Sequence, residues 1–282
     1  MNFYIVIPAH NEEEYIQKTL LSLANQTFLP KKIVVVDDHS TDKTSEIVDA
    51  FCKQHAFISL VKNTSSDEHL PGSKVVNAFY KGLETLDENY DVICKFDADL
   101  IFPENYLETI AKIFKNNPKC GMASGLLYIE KNNDWVYETI SDKTHIRGPI
   151  KSYTKSCFQA IGGLKMSIGW DTVDVLLAQY HKYKTITDHQ LHVKHLKPTG
   201  KIYSKKARFE QGKALYLMRY GWHLSTITAI KMALNKRSSS LFFDYLKGYV
   251  QAKKNNLPFL VSIDEGKFIR QLRWRRIKEK LF

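Results

Sequence analysis

The chain has 282 residues, of which 44% are hydrophobic and 25% are charged, so it can bury a large core and is not predicted to be disordered. Its four cysteines are widely spaced and form no Cys-x-x-Cys pair, which argues against a zinc site or redox chemistry and favours a reducing cytoplasm. The net charge of +11 is uneven, because residues 1–200 carry 22 Lys and Arg against 25 Asp and Glu, whereas residues 201–282 carry 19 against 5.

The first predicted unit is a strand followed by a helix. Residues 3–8 form an apolar run, Phe-Tyr-Ile-Val-Ile-Pro, that leads directly into the polar segment Ala9-His10-Asn11-Glu12-Glu13-Glu14. Apolar side chains then recur at three- and four-residue spacing over residues 15–23, which predicts the buried face of a helix that ends before Pro30. No Gly-x-Gly-x-x-Gly follows this strand, which argues against a dinucleotide-dependent dehydrogenase.

The second unit is a β-branched strand that ends in carboxylates. Residues 32–38 read Lys-Ile-Val-Val-Val-Asp-Asp and are followed by His39-Ser40-Thr41-Asp42 before the next helical pattern. An aspartate at a helix start is a common cap, so Asp37 or Asp42 is expected to have this role. Two adjacent acids require more than one explanation.

A third apolar strand, residues 92–96, ends in Asp97-Ala98-Asp99. Two carboxylates so close repel each other unless a cation lies between them, and hard oxygen ligands suit Mg²⁺ or Mn²⁺ carrying a diphosphate. A solvated turn would also explain an isolated Asp-x-Asp. In a doubly wound sheet the carboxyl ends of these strands lie along one edge, so the polar residues after all three are predicted to converge on one cleft.

In this order the motifs resemble the family 2 glycosyltransferases, nucleotide-sugar-dependent enzymes with the GT-A fold. Residues 6–13 resemble the family's opening strand, and residues 36–42 resemble its Val-Asp-Asp-Gly-Ser-Thr-Asp segment with His39 in place of Gly. Residues 71–78, Pro-Gly-Ser-Lys-Val-Val-Asn-Ala, resemble the loop before the next helix, and residues 97–99 fall where the family has Asp-x-Asp.

The resemblance covers roughly residues 3–175 and implies an α/β protein with the GT-A fold. Its Rossmann-like, mostly parallel central sheet would be flanked by helices. A catalytic domain is expected over residues 1–200, with the nucleotide-sugar-binding half at about 1–100 and the acceptor half at about 101–200. A basic helical C-terminal extension is expected over residues 201–282.

The resemblance also implies a donor site and a metal site. The donor-site residues would be Pro8, Ala9, Asn11, Asp38, Lys74 and Asp97. Asp38 would accept a hydrogen bond from the nucleotide base, and Lys74 would lie near the base and diphosphate, unless it is a solvated lysine at a helix start. Asp97 would approach the ribose or the metal, with Asp99 as the firmer ligand of Mg²⁺ or Mn²⁺.

Inversion at the sugar also requires a base that takes the proton of the acceptor hydroxyl. The family uses an acid from a Glu-Asp-like motif, and the corresponding stretch after Gly162-Gly163 contains Asp171 and Asp174, spaced i, i+3 on one helix face. Asp171 is the first choice, although the role could belong to Asp174, and Asp171 could instead cap the helix.

A late histidine is the remaining metal-ligand candidate. Some GT-A enzymes place such a residue on the metal, and His195 is the candidate by position. It lies in a strand-like run in which His192 and His195 alternate to opposite faces, so they cannot both line one site. The alternative is that His195 makes ordinary hydrogen bonds and binds no metal.

The C-terminal part combines basic and aromatic residues at helical spacing, most densely over residues 268–278. This pattern fits a peripheral contact of residues 201–282 with an anionic membrane surface, or a solvated basic face packed on the catalytic domain. Neither a signal peptide nor a spanning helix is predicted, which favours a cytoplasmic location, at the inner membrane face if the extension binds lipid. No nucleic-acid partner is expected, because the chain shows no nucleic-acid-binding motif.

Together these features predict an inverting glycosyltransferase that moves a sugar from a nucleotide-diphosphate sugar to a saccharide or lipid-linked acceptor, in cell-surface polysaccharide or glycan biosynthesis. One alternative is a nucleotidyltransferase of related fold, which would carry a Gly-rich, Arg- and Lys-containing loop after the first strand. The other is a catalytically inactive nucleotide-sugar-binding protein, which the departure at residues 171–174 keeps open.

Overall fold

The computed structural model describes residues 1–63, 73–198 and 205–281, and these form two compact units. The first unit contains residues 1–63, 74–164 and 181–198, and the second contains residues 165–180 and 205–281. Residues 165–180 lie inside the predicted catalytic domain but group with the C-terminal helices. The functional boundary near residue 200 stays a prediction.

The strands all belong to the first unit. They are β1 (Phe3–Ala9), β2 (Lys32–Asp38), β3 (Ile58–Asn63), β4 (Val92–Phe96), β5 (Leu100–Ile101), β6 (Cys120–Lys131), β7 (Asp134–Tyr137), β8 (Ile150–Thr154) and β9 (Lys184–His195). Its helices are α1 (Ile16–Ala24), α2 (Thr44–Gln54), α3 (Ser73–Leu83), α4 (Tyr106–Asn116) and α5 (Lys155–Ala160).

Within the described ranges the nine strands form one sheet in the order β3-β2-β1-β4-β8-β6-β9-β5, with β7 paired to β6. The first four strands in this order are parallel, as the apolar strand runs predict. The other half is mixed, because β8 runs antiparallel to both β4 and β6, while β6 and β9 are parallel. The parallel half therefore places the ends of β1, β2 and β4 along one edge.

The helical face predicted after the first strand is confirmed. In α1 the buried residues are Ile16, Thr19, Leu20 and Leu23, at the three- and four-residue spacing seen in the sequence. Ile16, Leu20 and Leu23 pack in a core with the apolar side chains of β1 and β4 that point to the same face. This packing fixes α1 on that face of the sheet.

The second unit is helical, with α6 (Trp170–Tyr180), α7 (Lys205–Leu217), α8 (Gly221–Asn235), α9 (Ser239–Lys254) and α10 (Ile263–Leu281). The predicted helical character of the C-terminal part is confirmed for the residues that the structure describes. None of the helices in those ranges combines the length and the apolar content needed to cross a bilayer.

The close approach of α3 to the sheet generates a stability prediction. A Cβ atom added at Gly82 would lie 2.6 Å from Val6 Cγ1 and 2.8 Å from Val36 Cγ2, both of which are fixed in the buried sheet. We expect Gly82→Ala to lower the free energy of unfolding by about 1–3 kcal/mol, measured by urea denaturation. The neighbouring exposed Lys81→Ala should change it by less than about 0.5 kcal/mol, and equal effects of the two substitutions would contradict this packing.

Candidate functional site

The loops that follow β1 and β2 are joined by hydrogen bonds. His10 Nδ1 lies 2.7 Å from the carbonyl oxygen of Asp38, and the Asn11 amide donates to Ser40 Oγ at 2.9 Å. The Thr41 amide in turn donates to Asn11 Oδ1 at 2.8 Å. Pro8 and Ala9 end β1 beside these contacts. The predicted convergence of the first two strand ends is therefore observed, and the side-chain oxygen of Asn11 ties the two loops together.

The acids after β2 have different surroundings. Asp37 accepts from the Ser40 amide at 3.0 Å and from the Ser45 hydroxyl, while Asp42 accepts from the Thr44 amide at 3.0 Å. Asp37 and Asp42 thus stabilise the turn that leads into α2, although neither is the N-cap residue, which is Lys43. Asp38 is buried at the end of β2, where its Oδ1 accepts from Asn63 Nδ2 at 2.9 Å.

His39 replaces the glycine of the family motif, and its backbone explains why glycine is suited to this position. Its φ of +62° lies in the left-handed region, which costs most L-residues about 1 kcal/mol or more. The bonds of Asn11 to Ser40 and Thr41 hold the adjoining loop, so the turn keeps its shape without glycine.

The Asp97-Ala98-Asp99 turn is held from α1 by one buried hydroxyl. Thr19 Oγ1 donates to the carbonyl oxygen of Ala98 at 2.6 Å and accepts from the Leu100 amide at 2.9 Å. Asp97 is half-buried, and its carboxylate forms an ion pair with the buried Lys95 of β4. Asp99 is buried, so the two carboxylates of the motif differ in their surroundings.

Asp99 and His195 are brought together by backbone pairing. Leu100 pairs with His195 across the antiparallel β5 and β9, and the Leu196 amide donates to the carbonyl oxygen of Asp99 at 2.9 Å. As a result, His195 Nε2 lies 3.5 Å from Asp99 Oδ2, and both side chains are buried. His192 is exposed, which confirms that it and His195 point to opposite faces of the strand.

A buried glutamate and arginine complete this cluster, and no sequence motif indicated them. Glu138 Oε2 lies 3.0 Å from His195 Nδ1 and accepts from Arg147 Nη1 at 2.6 Å. Glu138 directly follows β7 and Arg147 lies in the loop before β8. Their separation matches neither a helical nor a strand period, so only the folded chain reveals the contact.

The charges of this cluster act on each other strongly. Burial opposes protonation of His195, but hydrogen bonds and charge from Asp99 and Glu138 outweigh it and raise the pKa of His195 to about 9. The pKa of Glu12 is raised, chiefly by burial and also by the charges of Asp99 and Asp97. The ion pair of Glu12 with Lys197, at 3.0 Å, acts in the opposite direction. Glu12 and Lys197 therefore interact with the charges of Asp97 and Asp99, although no sequence motif predicted a role for either residue.

Asp99 and His195 together supply two donor atoms for a divalent cation, and the remaining ligands would come from the donor and water. Asp99 Oδ1 is buried, and among the described residues no hydrogen-bond donor reaches it. A buried carboxylate oxygen without a donor is costly unless an ion or water compensates it. A carboxylate oxygen suits Mg²⁺ and Mn²⁺, and an imidazole nitrogen is a common metal ligand in proteins. No group of three His, Cys, Asp or Glu side chains able to hold a metal occurs in the described ranges.

The remaining predicted residues are placed less completely. Lys74 is half-buried in the first turn of α3, while the preceding Pro71 and Gly72 of the predicted loop lie outside the described residues. Asp171 and Asp174 belong to α6 of the second unit, where Asp171 is half-buried in the first turn and Asp174 is fully buried. Their catalytic role stays a prediction.

Comparison with other proteins identifies relatives of part of the chain. The chain is 37% identical over 98 residues to "Probable glycosyltransferase YdaM" of Bacillus subtilis, which covers 34% of this chain and 22% of that protein. It is 33% identical over 133 residues to "Dolichyl N-acetyl-alpha-D-glucosaminyl phosphate 3-beta-D-2,3-diacetamido-2,3-dideoxy-beta-D-glucuronosyltransferase" of Methanococcus voltae, covering 45% of this chain and 40% of that protein. The chain thus spans less than half the length of these curated relatives.

Solved structures show the same fold at low sequence identity. S. aureus TarS in complex with UDP matches with a TM-score of 0.60 and 16% identity, covering 85% of this chain and 73% of that one. The mannosyltransferase PcManGT from Pyrobaculum calidifontis, in complex with GDP-Man and Mn²⁺, matches with a TM-score of 0.58 and 15% identity, covering 98% and 80%. These similarities confirm the predicted GT-A fold. The profile of the family described as "Glycosyl transferase family 2" matches residues 4–166, more than half of the chain, and the protein therefore belongs to glycosyl transferase family 2.

Proposed function

We propose that this protein is an inverting glycosyltransferase that moves a sugar from a nucleotide-diphosphate sugar to a saccharide or lipid-linked acceptor. The observation that carries the proposal is the buried Asp99 carboxylate, with one oxygen lacking a donor among the described residues and His195 3.5 Å from the other. This pair lies at the edge where the parallel strands end, which is where open α/β sheets bind ligands. Family membership supports the same reaction class.

The donor site is proposed to use the residues along this edge. Asp38 accepts a hydrogen bond from the nucleotide base, and Lys74 supplies positive charge near the diphosphate. Asp99 and His195, assisted by Asp97, would hold Mg²⁺ or Mn²⁺, which when bound neutralises charge on the leaving diphosphate. Lys95 holds Asp97 by an ion pair and so restricts its carboxylate to the turn.

Asp171 is the preferred base among the two aspartates of α6. A base must reach the acceptor hydroxyl, and Asp171 is half-buried at the start of the helix. Asp174 is fully buried and its Oδ1 accepts from the Val175 amide at 2.6 Å. This difference in accessibility supports Asp171, which would take the proton as the hydroxyl oxygen attacks the anomeric carbon and the diphosphate departs.

The names of relatives support a saccharide or lipid-linked acceptor in cell-surface glycan synthesis. One relative is named for transfer to a dolichyl-phosphate-linked sugar, and another, from Staphylococcus epidermidis, is named as a poly-beta-1,6-N-acetyl-D-glucosamine synthase. A lipid-linked acceptor would be reached most easily by an enzyme held at the membrane surface. We therefore include a peripheral membrane contact in the proposal.

The contact is assigned to α9 rather than to α10. In α10, Ile269 is buried, and Arg270 and Arg273 donate hydrogen bonds within the second unit to the Arg219 carbonyl oxygen and the Tyr220 hydroxyl. Part of the basic sequence at residues 268–278 therefore packs against its own unit.

One side of α9, in contrast, presents apolar and basic side chains in alternation. Phe243, Lys247, Val250 and Lys254 follow each other at four- and three-residue spacing, and all four are exposed. They border a groove of about 600 Å³ that is also lined by Phe209 and Leu246. Apolar residues interleaved with lysines are typical of a helix that lies on an anionic bilayer.

The donor proposal predicts metal-dependent nucleotide binding. We expect one of UDP, GDP, dTDP or CDP to raise the melting temperature only when Mn²⁺ is present, because a ligand that binds the folded state alone stabilises it. Asp99→Asn should abolish this shift while the protein remains folded. Asp49→Asn, an exposed substitution on α2, should leave it unchanged. Equal shifts with and without Mn²⁺ would contradict the metal site.

The base assignment predicts a separation of turnover from binding. Asp171→Asn should lower kcat by about 10²–10⁴-fold, measured as release of the nucleoside diphosphate. The donor should still raise the melting temperature of this variant as it does for the wild-type protein. Asp174→Asn is the matched comparison and should chiefly lower stability. Loss of turnover only in Asp174→Asn would show that Asp174 is the base. A wild-type protein that binds the donor without turnover would support the alternative of a catalytically inactive nucleotide-sugar-binding protein.

The membrane contact predicts charge-dependent sedimentation with vesicles. The protein should bind phosphatidylcholine vesicles containing phosphatidylglycerol and not phosphatidylcholine alone. Lys247→Gln with Lys254→Gln should weaken binding roughly 30-fold, since each lysine near an anionic surface contributes about 1 kcal/mol. Lys81→Gln with Lys112→Gln, at exposed positions of α3 and α4, is the control. Binding unaffected by either pair would show that this side of α9 is only a solvated surface.

A further inference from the structure

We infer that Glu138, held by Arg147, is a positioning residue that orients His195 toward Asp99. The inference rests on the metal site of the proposed function and extends it to two residues outside every motif of the sequence. Neither of them is placed on the metal, so both would act through His195.

The four side chains form a continuous chain of contacts. His195 Nε2 lies 3.5 Å from Asp99 Oδ2, His195 Nδ1 lies 3.0 Å from Glu138 Oε2, and Arg147 Nη1 lies 2.6 Å from that same oxygen. Each side chain is at most about a tenth exposed, as the values of 9%, 3%, 3% and 10% for Asp99, His195, Glu138 and Arg147 show. Solvent therefore offers little competition for these contacts.

The hydrogen-bonding capacity of the groups determines the orientation. Both imidazole nitrogens face carboxylates, which only accept hydrogen bonds, but Nδ1 is the closer, at 3.0 Å from Glu138 Oε2 against 3.5 Å for Nε2 and Asp99 Oδ2. A cation held beside Asp99 would replace a proton on Nε2, while Nδ1 would keep its proton and its hydrogen bond to Glu138. A histidine that binds metal through one nitrogen almost always donates from the other to a carboxylate, a carbonyl or water, which fixes both the ring and its tautomer.

Glu138 is itself held in place from two directions. Its amide donates to the Leu127 carbonyl oxygen at 2.9 Å, and its carbonyl oxygen accepts from the Ile140 amide at 2.8 Å. Arg147 fixes the carboxylate end with a guanidinium that is always charged.

A purely structural Glu138–Arg147 pair is the competing explanation. A buried ion pair often stabilises a fold no better than apolar residues of similar size. In a positioning role, the carboxylate must contact the imidazole nitrogen that does not face Asp99. Glu138 Oε2 meets this requirement, because it contacts His195 Nδ1 as well as Arg147 Nη1. The two explanations differ in what they predict for metal affinity.

The test is the affinity of the full chain for Mn²⁺ alone, measured from the electron paramagnetic resonance signal of free Mn²⁺. Glu138→Gln keeps the side-chain shape but can present either an oxygen or an amide N–H to His195, so it no longer selects Nε2 for the metal. We expect it to raise the Mn²⁺ dissociation constant about 10- to 100-fold. Glu88→Gln, with the same change on an exposed side chain, should have no effect.

A double-mutant cycle with His195→Gln separates positioning from general loss of structure. Once His195 is absent, Glu138→Gln should change Mn²⁺ affinity by less than about twofold, because its effect passes through the imidazole. The same fold-loss in both backgrounds, or no loss in the wild-type background, would overturn the inference. Absence of Mn²⁺ binding by the wild-type protein would overturn the metal site itself, so the two failures are distinguishable.

A measurement on the unmodified protein keeps the inference testable if Glu138→Gln does not fold. Long-range ¹⁵N–¹H spectra of histidine-labelled protein saturated with Zn²⁺, a diamagnetic ion that imidazole binds, should show the one remaining His195 proton on Nδ1. A proton on Nε2, with or without a second proton on Nδ1, would overturn the inference.

Discussion

The site depends on the burial of one carboxylate. Asp99 leaves water at the end of the parallel half of the sheet, and this is unfavourable unless positive charge or hydrogen-bond donors replace the solvent. One oxygen lies near His195, while the other has no donor among the described residues. The fold maintains this arrangement through backbone pairing on one side and the Thr19 hydroxyl on the other. A divalent cation held by Asp99 and His195 would compensate the buried charge and would neutralise charge on a donor diphosphate.

The surrounding residues divide between holding the loops and balancing charge. Asn11, Asp37 and Asp42 accept hydrogen bonds from neighbouring backbone amides through their side-chain oxygens, so they hold the loops after β1 and β2 in place. Lys95 and Lys197 instead form ion pairs with the acids beside the site. Because these two lysines are already paired with acids, they offer little positive charge to a donor diphosphate. A bound cation would supply that charge, and it is therefore central to the proposal.

Much of this organisation could be predicted from local sequence. Apolar runs predicted the parallel strands, the spacing of buried residues predicted α1, and the polar residues after the strands predicted that the loops after β1 and β2 meet, because each of these signals lies within a short segment. The contact of Glu138 with His195 could not be predicted, because it joins a hairpin end to a distant strand and follows no period. The left-handed backbone at His39 was visible only through the family's glycine at that position.

In the proposed site, the buried pair of Asp99 and His195 binds a cation. Anomalous diffraction tests this most directly, using a crystal grown with Mn²⁺ and the nucleoside diphosphate that stabilises the protein. The account predicts an anomalous peak within coordination distance of Asp99 Oδ1 and His195 Nε2, with the diphosphate on its other side. Bound nucleotide with no peak at Asp99, or a peak held by other residues, would contradict it.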